Sequence, residues 1–187
     1  VHSGLGGGVV PDAFMILSRI IASFHNDKGE LLIEGLTPTE QDVFELSDEF
    51  VKSSLSSNGV ELFEMDSYSK RLWLEPALSI LAIDAPPVAE SVNLLIPKAK
   101  AKVSLRLPPT EDPDHAMNML EKHIKENTPF NANVNFIPEA KGKGILVYPK
   151  NEFSSKLIES FNKNWENEVA YMGVGGSIPF ANVFINE

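Results

Sequence analysis

The sequence predicts an α+β fold, and three observations carry that expectation. Lys98, Lys100, Lys102, Ser104 and Arg106 alternate with Ala99, Ala101, Val103, Leu105 and Leu107, the two-residue period of a strand with one wet and one buried face. Phe14, Leu17, Ile20, Ile21 and Phe24 recur at helical spacing, as do Met117, Leu120 and Ile124. With residues 30–76 set aside as a helical insertion, the order of elements is helix, strand, strand, helix, strand. One more strand before His2, largely missing here, would complete a ferredoxin-like split β-α-β-β-α-β unit.

Pro11-Asp12 opens the first helix and Asn26-Asp27-Lys28-Gly29 closes it. Leu31 to Glu34 reads as a short strand. Thr37-Pro38-Thr39-Glu40 looks like a helix start, predicting a helix to about Leu55, where Ser53 to Gly59 breaks the pattern. Residues 60–75 are expected to be helical or irregular. Ala77 to Asp84 is a strand ended by Ala85-Pro86-Pro87, and the Lys98 to Leu107 strand follows. A helix over Pro113 to Asn127, a strand over Asn133 to Ile137 and a glycine-lysine linker over Ala140 to Gly144 come next. Ile145 to Tyr148, Glu152 to Trp165 and Val169 to Met172 then read as strand, helix and strand, the rhythm of an α/β domain. A boundary near Ala140 therefore divides a domain of residues 1–140 from a partial one of residues 141–187.

The 187 residues, 43% hydrophobic and 22% charged, suit a globular chain with one substantial core or two small ones. A formal charge of −10 and the lack of a dense basic stripe argue against nucleic-acid binding. No apolar run approaches the ~18 residues of a spanning helix, so no membrane partner is expected. The absence of cysteine excludes disulfides, thiol nucleophiles and cysteine-containing zinc sites, and says nothing of compartment. The start at Val1, without methionine, predicts a fragment, and a cytoplasmic location is the expectation for its parent.

Two glycine-dense segments stand near the ends, Gly4-Leu5-Gly6-Gly7-Gly8 and Gly173-Val174-Gly175-Gly176-Ser177. Such runs let backbone approach a ligand closely. The first misses the dinucleotide-binding pattern, since the third glycine counted from Gly4 and Gly6 falls on Val9. His2 and Ser3 are neighbours whose side chains point to opposite faces of extended backbone, so they do not form a nucleophile and base pair. His2 by itself reads as a solvated terminal residue. His25, His115 and His123 are scattered, and four residues after His115 stands Met119, so no histidine pair shares a helical face. Glu111-Asp112 reads as a solvated acidic loop before a helix. Arg106 admits two readings: a fourth cation on a wet strand face, or a guanidinium held beside Pro108-Pro109 for bidentate capture of a carboxylate. Gly175, Gly176 and Ser177 form either an ordinary turn or an anion nest.

In order, His2-Ser3-Gly4-x-x-Gly7-Gly8, Asn93-Leu94-Leu95-Ile96-Pro97, Ser104-Leu105-Arg106-Leu107-Pro108-Pro109-Thr110-Glu111-Asp112-Pro113 and Gly175-Gly176-Ser177-Ile178-Pro179 resemble one family. It is that of the dinuclear-zinc metallopeptidases, which includes carnosine dipeptidases, glutamate carboxypeptidases and aminoacylases. The resemblance covers essentially the whole chain. It implies that residues 1–140 are most of a lid and dimerisation domain and residues 141–187 the return into a catalytic domain, dipeptidase-like or carboxypeptidase-like. It further implies two zinc ions in the intact enzyme, none bound by this chain, and a fragment inactive alone. His2 would cross a homodimer to donate a hydrogen bond to the scissile carbonyl of a small peptide. Arg106 and Ser177, with Gly175 and Gly176, would hold the free carboxylate. The chain departs from the pattern at Leu94, where the family has a polar residue, with Asn93 one place earlier. The alternative from another class is a non-catalytic ligand-binding or dimerisation module.

Overall fold

The computed structural model describes residues 1–55, 59–147, 151–166 and 169–175, and the chain divides into two compact units. The first unit takes Val1–Leu36, Pro76–Arg106 and Pro113–Lys141; the second takes Thr37–Glu75, Leu107–Asp112 and the chain from Gly142 onward.

The first unit opens on a single turn, α1 (Ser3–Gly6), and then α2 (Ala13–Ala22). Asp12 caps α2 by accepting the Met15 N–H at 2.9 Å, the side-chain acceptor that an orphaned first turn needs. In the second unit come α3 (Asp48–Leu55) and α4 (Tyr68–Trp73). The chain returns to the first unit through β1 (Ala77–Asp84), β2 (Lys100–Arg106) and α5 (Pro113–Glu126), and α6 (Glu152–Asn164) lies in the second. Pro113 suits the first position of α5, where its missing N–H costs nothing. Asn151 and Ser154 close a reciprocal capping box on α6.

β1 and β2 pair antiparallel, Ala77 opposite Arg106 and Asp84 opposite Lys100, with a bulge at Leu81 between Ile80 and Ala82. Ahead of the bulge Leu78 and Ile80 meet Leu105 and Val103 on the inner face, and beyond it the extra residue shifts the alternation of β1 by one, so that Ile83 pairs with Ala101. Against that face pack Ile20 and Phe24 of α2, Ile33, and Leu120 and Ile124 of α5. Phe24 is 1% exposed and stacks on His123 with ring centroids 5.5 Å apart. Each such apolar side chain contributes roughly 1.5–3 kcal/mol by leaving water.

The helices over 11–25, 113–127 and 152–165 and the strands over 77–84 and 98–107 are found within two or three residues of their expected bounds. Other segments differ. The helix expected from Thr37 begins only at Asp48. Residues 37–47 satisfy their backbone elsewhere: the Thr39 N–H donates to the Leu74 carbonyl at 2.7 Å, and the Leu46 N–H to the buried Ser69 hydroxyl at 2.8 Å. Those long-range bonds replace the i→i−4 ladder a helix would use.

The strands expected at 31–34 and 133–137 carry no ladder among the described residues. Leu31 makes one isolated bridge to His25, while Ile33 and Phe136 supply side chains to the core. The same holds for 145–147 and 169–172, so the described part of residues 141–187 contains a helix and no strand. A short apolar run becomes a strand only when a neighbour's edge is free to pair with it. The sheet formed by the described residues therefore has two strands.

Candidate functional site

His2 sits where two stretches of backbone meet. Its own backbone is extended, forms an antiparallel bridge with Leu94, and is flanked by two bonds to the same segment: Ser3 N–H to the Asn93 carbonyl and Leu95 N–H to the Val1 carbonyl, each 2.9 Å. The chain then turns at once into α1, with the Leu5 and Gly6 N–H groups both donating to the His2 carbonyl at 3.0 Å. A side chain at Gly7 would collide with the Ser3 carbonyl, so this turn needs glycine there. The His2 imidazole is exposed and caps the turn: its Nδ1 accepts the Gly4 N–H at 3.0 Å. A nitrogen that accepts carries no proton, so the neutral ring holds its hydrogen on Nε2. Among the described residues Nε2 has no partner. The ring is thus a donor with its other nitrogen already engaged.

Asn93 and Leu94 hold His2 through main-chain atoms, a role open to any side chain. Val1, Leu5, Val9 and Leu94 leave apolar side chains exposed around this turn.

Arg106 ends β2 opposite Ala77 and is exposed. On the same face, Lys100 lies 4.0 Å from Asp84 and Lys102 pairs with Glu139. The Arg106 guanidinium makes no hydrogen bond or ion pair among the described residues. Within β2 it is the cation without a side-chain partner, a state it shares with Lys98 just before the strand. His2 and Arg106 belong to the same unit and share no bond. The loop after Arg106 is fixed within the second unit by a bond from the Glu111 N–H to the Pro108 carbonyl at 3.1 Å and a 2.7 Å contact of the Thr110 and Thr39 hydroxyls. Glu111, expected to be solvated, is buried and accepts the Asp112 N–H at 3.1 Å.

Gly175 lies in the second unit, while Gly176 and Ser177 fall outside the described residues. A Cβ on Gly175 would reach no closer than 4.0 Å to the Leu72 carbonyl. The glycine that packing demands is Gly173, where a Cβ would overlap the Trp73 ring. Its signal in the sequence was only that it belongs to the same glycine run.

A Ser–His pair that the sequence does not reveal joins Ser23 to His123, whose Nε2 lies 3.1 Å from both Ser23 Oγ and the Ser23 carbonyl. The Ser23 hydroxyl donates to the Ile20 carbonyl at 2.7 Å, so its proton is turned from the ring. The pair ties the end of α2 to α5 and does not activate a nucleophile. Among the described residues no three His, Asp or Glu side chains gather closely enough to hold a metal ion, so they do not fit a metal centre. No helix of the described residues is long and apolar enough to cross a membrane.

The chain is 29% identical, over 96% of its length, to the cysteinylglycine-S-conjugate dipeptidase of Corynebacterium striatum, of which it covers 40%. It is 24% identical over its whole length to the Cys-Gly metallodipeptidase DUG1 of Candida albicans, covering 41% of that protein. The chain thus spans about two-fifths of these relatives. Its fold matches the di-peptidase Dug1p of Saccharomyces cerevisiae with a TM-score of 0.75 at 22% identity, covering 98% of this chain and 41% of that one. Human carnosine dipeptidase 1 matches with a TM-score of 0.69 at 19% identity, covering 100% and 43%. The α+β arrangement is therefore the one these peptidases share. The profile of the peptidase dimerisation domain matches residues 1–132, about seven-tenths of the chain, and the chain belongs to that family, the dimerisation domains of M20 peptidases.

Proposed function

We propose that residues 1–140 are the lid and dimerisation part of a zinc-dependent dipeptidase, and residues 141–187 a segment of its catalytic domain. The parent enzyme hydrolyses the peptide bond next to a free C-terminal carboxylate, works as a homodimer and resides in the cytoplasm. Its two zinc ions are held by side chains outside this chain, which is inactive alone. The observation that carries the reading is the His2 ring, with Nδ1 engaged by Gly4 and an Nε2–H left free to donate. Such a donor stabilises a carbonyl oxygen as it gains charge, which is where preorganised hydrogen bonds lower a barrier most. The exposed apolar side chains beside His2 support a face that closes against a second subunit. The unpartnered Arg106 supports carboxylate capture, with Ser177, Gly175 and Gly176 as its companions. The names of the relatives, dipeptidases of Cys-Gly and its conjugates, support a compact substrate that ends in a carboxylate.

The test is Arg106→Ala in the full-length protein. Charge-assisted bonds of about 1.5–3 kcal/mol imply a KM raised roughly 10- to 100-fold for dipeptides with a free carboxylate, with kcat changed less. Amidated analogues, which offer no anion, should be bound as by the unaltered enzyme. Equal loss on both substrates would contradict the assignment.

A further inference from the structure

We infer that Gly4 is a positioning residue, whose N–H sets the His2 tautomer and whose missing side chain leaves room for the ring that presents Nε2–H. The inference rests on the donor role proposed above for His2.

Two independent features of Gly4 act on the same ring. Its N–H donates to His2 Nδ1 at 3.0 Å, which requires a lone pair there and places the ring proton on Nε2. A Cβ built on Gly4 would lie 3.2 Å from Nδ1, closer than ordinary van der Waals contact, and 3.4 Å from Cε1 of the same ring, at its edge, so the ring would have to give by a few tenths of an ångström. Alanine at position 4 would therefore keep the donor and push away the acceptor. The ring is the part free to respond, because the backbone on either side is fixed. His2 is bridged to Leu94, Ser3 and Leu95 are bonded across the same junction, and the turn is closed by the Gly7 N–H donating to the Ser3 carbonyl at 2.7 Å. A ring displaced by that much holds a longer and weaker form of the bond that selects its tautomer. With Nδ1 less firmly held, part of the population carries the proton there, and in that tautomer the outward nitrogen becomes an acceptor facing a carbonyl oxygen. A purely conformational need for glycine is not the reason, since Gly4 is not among the residues with positive φ.

The experiment measures the His2 tautomer by long-range 1H–15N correlation in the full-length protein, at a pH where the ring is neutral, together with kcat and zinc content. The unaltered protein should show Nε2–H with Nδ1 unprotonated, and finding Nδ1–H there overturns the inference without any variant. Gly4→Ala should show a mixture of tautomers and a kcat lowered roughly tenfold, with KM and zinc content retained. If His2→Asn abolishes activity while Gly4→Ala leaves tautomer and kcat unchanged, the inference fails and the donor role of His2 stands. If His2→Asn is fully active, the donor role itself fails, and the catalytic consequence drawn for Gly4 with it.

Discussion

Replacing His2 by asparagine in the full-length protein should leave folding and zinc content intact and lower kcat by roughly 100-fold or more, the usual effect of losing one oxyanion donor. Asparagine is the informative choice because Oδ1 occupies the place of Nδ1. It can accept the Gly4 N–H that now goes to the ring at 3.0 Å, and asparagine ranks among the best residues at a helix start. What it cannot do is extend a second N–H to where Nε2 lies. The substitution thus separates the local structural task of His2 from its chemical one. Steady-state kinetics on a dipeptide, with circular dichroism and metal analysis as controls, measures the difference. A kcat within twofold of the unaltered enzyme would mean that the ring serves only as a cap.

The largest expected effect on stability comes from Phe24→Ala. Phe24 is 1% exposed, at the junction of α2, the Ile33 segment, the inner face of β1 and β2, and α5. It also covers His123, whose Nε2 holds the end of α2. Removing a buried phenylalanine costs about 3–5 kcal/mol, since transfer energy is lost and a cavity remains. Domains are typically stable by only about 5–15 kcal/mol, so urea denaturation should show a greatly lowered midpoint. A loss below about 1 kcal/mol would show that the core is not organised around this ring.

What the sequence made legible followed from long-range regularity along a single element. The ten-residue alternation from Lys98 locates β2 without knowledge of its partner, and the stripe from Phe14 to Phe24 locates α2, because their patterns repeat often enough to exclude other periods. Residues 37–47 were illegible because their backbone is satisfied by Ser69 and Leu74, partners that no local pattern announces. Residues 31–34 and 133–137 were misread for a related reason. Their apolar side chains do reach the core, as Ile33 and Phe136 show, yet core burial alone does not supply a strand ladder.

The site divides in the same way. His2 and Arg106 stood out through the motifs around them. The capping bond from Gly4, the main-chain hold of Asn93 and Leu94, and the pairing of Lys100 and Lys102 that leaves Arg106 the unpaired cation of β2 needed three-dimensional placement. The glycine runs likewise mix two purposes, one glycine admitting the His2 ring and another admitting the Trp73 ring.

We propose that His2 serves the active site of the opposite subunit in a homodimer, while Ser177 serves its own. Mixed dimers of two full-length variants, His2→Asn and Ser177→Ala, each impaired as a homodimer, test it most directly. If His2 acts across the interface, one site of each mixed dimer combines an unaltered Ser177 with the partner's unaltered histidine, and activity reappears on mixing. If His2 acts within its own subunit, both sites of the mixed dimer stay damaged, and mixing restores nothing.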